Sequence, residues 1–152
     1  MERDFKTHIG YHVQEIARRL TWVHDERLKD YGITFSQFRV LNCLWEEDGL
    51  NQTEILSYLR MKPSSLSALI VLLVRKKLIL RVEDEQDHRS RRIYLTGEGK
   101  KLKWISWDII LDLENSLSEG FDDKKKDSFL SDLKQVCQNI EEKEKRLKSN
   151  VN

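Results

Sequence analysis

At 152 residues, 39% hydrophobic and 35% charged, with a formal net charge of +1, one proline and six glycines, the sequence suits one largely helical domain without flexible linkers. Its longest apolar run, Ala68 to Val74, falls far short of the roughly 20 residues of a membrane span, and the acid-bearing N-terminus lacks the apolar stretch of a signal peptide. Two cysteines, Cys43 and Cys137, are too few for a disulfide framework, so a cytoplasmic protein with no membrane partner is expected.

Residues Phe5 to about Tyr31 read as one long helix. Ile9, Val13, Ile16, Leu20 and Val23 recur at three- and four-residue steps, and Gly32 stands where a C-cap is needed. Thr34-Phe-Ser-Gln37 has the form of a capping box and opens a second helix with Phe38, Leu41, Leu44 and Trp45 on one side, ended by Gly49. Asn51-Gln-Thr-Glu54 repeats that signal and starts a short third helix with Ile55, Leu56 and Leu59 inward. Pro63 fits the first turn of a fourth helix, where its missing N–H costs nothing, and Leu66, Leu69, Ile70 and Leu73 carry that helix to about Lys77.

The periodicity then changes. Residues 78–82 and 91–95 are two β-compatible runs around a polar loop, Glu83 to Ser90, and together predict a hairpin. Thr96 caps a fifth helix with Leu102, Ile105, Ile109, Leu113 and Leu117. A break near Gly120 and Asp122 precedes a last helix with Phe129, Leu133, Val136 and Ile140. The fold class is therefore mainly α with a small β-hairpin wing: a winged helix-turn-helix lobe over 34–96, flanked by long helices over 1–31 and 97–152 in one domain, 1–152.

Charge supports this architecture. The block 60–92 holds nine basic and four acidic side chains, whereas 1–50 and 93–152 are each slightly acidic. A basic stretch inside a near-neutral chain points to a polyanion partner. Two short helices joined by Arg60, Met61 and Lys62 and followed by a hairpin place the fourth helix for the major groove of B-DNA, which admits one α-helix. Lys62, Ser64, Ser65 and Ser67 would face that groove. The hairpin loop, with Asp87, His88, Arg89 and Arg91, would reach the backbone or an adjacent minor groove.

These motifs resemble those of the MarR family of winged helix-turn-helix regulators. Gly32-Ile-Thr-Phe-Ser-Gln37-Phe-Arg-Val-Leu41 is similar to the family's entry to the second helix, and Gly49-Leu-Asn-Gln52-Thr-Glu54-Ile to its entry to the third. Asp87-His-Arg89, followed by Leu95-Thr96-Gly-Glu-Gly99, resembles the wing signature, and the likeness spans about residues 9 to 105. The resemblance implies that Arg89 is the minor-groove arginine and that Asp87 holds the wing's arginines. It further implies a homodimer formed by the first, fifth and sixth helices, a pseudo-palindromic double-stranded operator, and a repressor released by a small aromatic effector. Departures lie in the fourth helix. Ser67-Ala68 stands where the family often has Thr-Arg, Val71, Leu72 and Val74 where it usually has charges, and Lys77 where it has glycine. Val71 to Val74 are read as extra core packing.

Other residues carry less. His8 and His12 are spaced for one metal ion, but no matched acid or cysteine completes a ligand set with them, so neither metal nor cofactor is expected. Cys43 reads as a small buried residue, His24 and His88 as solvated, and Tyr11, Trp22, Trp104 and Trp107 as packing for the long helices. No nucleophile elbow, phosphate loop or zinc-enzyme motif is present, which argues against an enzyme. The alternative reading is a winged-helix module that binds protein through its apolar fourth helix; a metal-dependent sensor is a third.

Overall fold

A computed structural model describes residues 4–84 and 90–150. Six helices and three short strands follow in the order α1 (Ile9–Leu28), α2 (Phe35–Glu46), β1 (Leu50–Asn51), α3 (Gln52–Leu59), α4 (Pro63–Arg75), β2 (Ile79–Glu83), β3 (Arg91–Leu95), α5 (Gly97–Leu117) and α6 (Asp123–Ser149). The fold is mainly helical with a small antiparallel sheet, as the sequence implies.

Local chemistry sets most boundaries. The expected unbroken first helix is divided. A 3-10 turn, Phe5–Thr7, precedes extended His8, and a second, Lys29–Tyr31, follows α1. Asp4 draws the chain into that first turn by accepting from the Lys6 amide at 2.9 Å and from the Thr7 hydroxyl at 2.8 Å. Gly32, at φ 68, ends the second turn in a left-handed conformation that a side chain would resist. Both capping boxes form. Thr34 Oγ1 accepts from the Gln37 amide at 3.3 Å, and Asn51 Oδ1 accepts from the Glu54 amide at 2.9 Å. The reciprocal bonds from the Thr34 and Asn51 amides to Gln37 and Glu54 complete each box.

The hairpin is one part of a three-stranded sheet ordered β1-β3-β2. Its register pairs Ile79 with Leu95, Arg81 with Ile93 and Glu83 with Arg91, while Leu50 of β1 lies opposite Ile93. Two glycines allow close approaches at the sheet. A Cβ on Gly49 would come within 2.6 Å of the Tyr94 ring, and one on Gly99 would land on the Leu78 carbonyl. The Gly99 carbonyl also accepts from the indole N–H of Trp45 at 2.9 Å, which fixes the start of α5. Thr96 Oγ1 accepts from the Gly99 amide at 3.1 Å, so the threonine caps α5 as expected.

Leu28, Leu41, Leu44, Ile55, Leu66, Ile70, Leu73, Ile79 and Ile93 are fully buried, and Ile109 of α5 joins this core. Each such side chain contributes roughly 1.5–3 kcal/mol by leaving water. Leu66, Ile70 and Leu73 share one side of α4, which fixes the side that remains outside. His24 departs from its expected solvated state: its ring stacks on Phe35 at 4.2 Å, and burial pulls its pKa below the ordinary histidine value.

Two compact units make up the chain, Met1–Ile110 and Leu111–Asn152. In the second, Asp122 caps α6 by accepting from the Lys125 amide at 2.7 Å. Phe121 meets Phe129 edge-on at 5.7 Å beneath the Lys125 ammonium. Phe129, Leu130, Leu133 and Ile140 of α6 are exposed. Among the described residues no helix is long and apolar enough to cross a membrane, and no three His, Cys, Asp or Glu side chains gather as metal ligands. His12 Nε2 lies 2.7 Å from the Lys6 carbonyl, a backbone partner rather than a histidine pair.

Candidate nucleic-acid interface

Helices α3 and α4 meet through a tight turn. Arg60 takes a left-handed conformation at φ 48, and extended Lys62 (φ −68, ψ 140) becomes the N-cap residue of α4. Pro63 occupies the first turn, and the Lys62 carbonyl accepts from the Leu66 amide at 3.1 Å. With Leu66, Ile70 and Leu73 inward, Lys62, Ser64, Ser65 and Ser67 are all exposed, together with Ala68. Four of the expected contact residues therefore share one accessible surface around the start of α4.

The rest of α4 corrects an expectation. Val71, Leu72 and Val74 are 40%, 41% and 39% exposed rather than packed into the core. Apolar residues surround most of this helix, and the core accepts only one side of it. Tyr11, Trp22, Trp104 and Trp107 are likewise exposed rather than packed. Cys43 is buried as expected, and burial pushes its thiol pKa up.

The far end of α4 closes with a Schellman motif. The Leu78 amide donates to the Leu73 carbonyl at 3.0 Å and the Lys77 amide to Val74 at 2.9 Å, with Lys77 left-handed at φ 58. Lys76 is tied down by its ammonium, which donates to the Gly32 carbonyl and to Gln37 Oε1. Arg75 and Lys77 are exposed.

Arg91, the remaining described contact candidate, is exposed on β3. It lines a cleft of about 620 Å³ with Asn51, Gln52 and Thr53 at the start of α3 and with Arg81 and Ser90. Asp87 and Arg89, with His88, lie outside the described residues. A different pair anchors the base of the wing. Arg92 Nε donates to Asp84 Oδ2 at 2.8 Å, and Arg92 Nη1 donates to the Gly49 carbonyl at 2.8 Å. Asp84 raises the Arg92 pKa further above the ordinary guanidinium value. Arg92 belongs to the basic block, as do Arg75, Lys77 and Arg81, but no motif in the sequence singles out any of the four.

The model of the MarR family matches residues 31–90. SarZ, an HTH-type transcriptional regulator of Staphylococcus epidermidis, is 26% identical over 127 residues, which cover 72% of this chain and 83% of SarZ. YwoH, an uncharacterized HTH-type transcriptional regulator of Bacillus subtilis, is 29% identical over 80% of this chain and 88% of its own length. A MarR transcriptional regulator from Methanosarcina mazei superimposes with TM-score 0.81 at 30% identity, covering 88% of this chain and 96% of that one. The chain belongs to the MarR family. MepR of Staphylococcus aureus, solved as a DNA complex, matches with TM-score 0.79 at 27% identity, covering 90% of this chain and 99% of MepR. SarZ, YwoH and the Methanosarcina mazei protein are named transcriptional regulators, a class without enzymatic activity.

MarR membership gives the motif residues physical work. Gln37 completes a capping box and also accepts from Lys76, so it joins the start of α2 to the end of α4. Glu54 completes the box that starts α3. The Thr96 and Gly99 signature joins β3 to α5: Thr96 caps the helix, and Gly99 leaves room for the Leu78 carbonyl. The position where this MarR chain has Lys77 rather than glycine is the left-handed residue that closes α4.

Proposed function

We propose that this MarR-family regulator is a homodimer that binds a pseudo-palindromic double-stranded operator, with the two α4 helices in successive major grooves. One observation carries the reading. The exposed side of α4 runs from Lys62 through Ser64, Ser65 and Ser67 to Arg75 without a carboxylate, and Lys77 follows it. A helix of 13 residues is about 20 Å long, so one lying in a major groove about 12 Å wide brings cations at both of its ends near backbone phosphates. Arg91 and Arg81 add phosphate contacts beside the start of α3. Arg89 enters the minor groove with Asp87 supporting the wing; both roles rest on the family resemblance.

The lobe over 34–96 binds DNA in this reading, and the helices over 1–31 and 97–152 dimerise. Exposed Ile9, Val13 and Ile16 on α1, and exposed Phe129, Leu133 and Ile140 on α6, are apolar surface of the kind a second copy would cover. Repression, release by a small aromatic effector and a cytoplasmic location follow the family pattern. Exposed Val71, Leu72 and Val74 favour a second reading, a module that binds protein through α4.

Selection of sites from random duplex DNA separates the two readings. The DNA-binding reading expects an enriched pair of half-sites about 10 base pairs apart, one helical turn. Replacing Ser67 with a bulky residue should abolish that preference while weak nonspecific binding survives, because phosphate contacts remain. Unchanged selected sequences would move the recognition surface away from α4, and no enrichment at all would favour the protein-binding module.

A further inference from the structure

Within the DNA-binding reading, on which this step rests, the chemistry of the exposed α4 side restricts what it can read. Successive helical residues are separated by about 100°, so Ser64, Ala68, Val71 and Arg75 fall on one stripe, flanked by Ser67 and Val74 on one side and Ser65 and Leu72 on the other. Leu66, Ile70 and Leu73 are fully buried on the opposite side. Between Lys62 and Arg75 the exposed side offers only serine hydroxyls and apolar groups, with no Asn, Gln, Lys, Arg, Asp or Glu.

Bidentate reading of guanine needs Arg or Lys, bidentate reading of adenine needs Asn or Gln, and reading of the cytosine amino group needs a carboxylate. The middle of α4 has none of these. The one base-edge feature that an aliphatic side chain recognises is the thymine C5-methyl group, which projects into the major groove. Packing a polar base edge against Val71 or Leu72 would instead leave its hydrogen-bonding groups without a partner. Charge supports DNA as the occupant of this surface, because exposed Lys62 precedes the apolar segment and exposed Arg75 and Lys77 follow it, with no acid between.

We infer that Ala68, Val71 and Leu72 form an apolar reading edge for thymine methyl groups, so that specificity in the major groove rests on methyl contacts with serine hydroxyls beside them. The half-site contacted by the middle of α4 is then rich in A·T pairs, with thymines placed where these side chains point. Each contact buries one methyl group, and its loss weakens binding about fourfold.

The test uses the full-length protein and a duplex site that it selects from a random pool, made either with thymine or with deoxyuridine. Uracil keeps the base pair and removes only the methyl. The expected result is weaker binding of the uracil duplex, about fourfold for each methyl lost at a contacted position. Val71→Ala keeps a good helix former at an exposed site, so the fold persists. It should weaken binding to the thymine duplex and abolish the thymine–uracil difference at one position per half-site. Equal affinity for thymine and uracil duplexes would overturn the inference while leaving DNA binding intact. An equal loss on both duplexes from Val71→Ala would show that this side chain does not act through a methyl group and would overturn its role. Failure to retain any duplex at low salt would remove the DNA-binding reading itself, and this inference with it, in favour of a protein partner.

Discussion

Lys77 occupies the left-handed position of the Schellman motif, at φ 58, where the resemblance leads one to expect glycine. A side chain in that conformation costs on the order of 1 kcal/mol. The same residue places an exposed ammonium just past the C-terminal end of α4, beside the surface proposed to bind DNA. Lys77→Gly should therefore raise stability in denaturant melts by up to about 1 kcal/mol while weakening operator binding and reducing its salt dependence. A purely structural lysine would leave DNA affinity unchanged. Other single residues show where sequence reading stops. His24 reads as solvated from the sequence, yet it stacks on Phe35, eleven positions along the chain. Asp84, the acid that accepts from Arg92, carries no local motif that marks it for that task.

Elements were legible wherever their signals were local. Thr34 with Gln37 and Asn51 with Glu54 announce helix starts within four residues, and both boxes are present. Strand β1, Leu50–Asn51, was not legible, because two residues cannot display an alternation and the strand exists only through pairing with β3. The side of α4 that stays outside was misread for a related reason. Hydropathy says which residues are apolar, while the neighbours supplied by the fold decide which of them are covered. Two residues of the same helix make this testable by chemical denaturation. Leu73→Ala, at a fully buried site, should cost about 2–5 kcal/mol, whereas Val71→Ala, two positions earlier, should change stability by less than about 0.5 kcal/mol. Similar losses at both positions would place Val71 in the core after all.

For the whole molecule, the proposed operator geometry requires two recognition helices and hence two copies of the chain. Exposed apolar side chains on α1 and α6 are the surface available for that assembly. Light scattering should give about 36 kDa, twice the chain mass. A stable monomer at micromolar concentration would contradict both the dimer and the paired half-sites. The central claim, that α4 and the flanking cations form a DNA-binding surface, is tested most directly by measuring affinity for the selected duplex as a function of salt. Lys62, Arg75, Lys77, Arg81 and Arg91 from each of two copies provide enough cations for the 6–10 phosphate contacts that give a steep salt dependence. Affinity should fall by about a thousandfold or more between roughly 50 and 200 mM salt, with a linear slope on logarithmic axes. An affinity that stays level across that range, or no binding at its low end, would contradict the account.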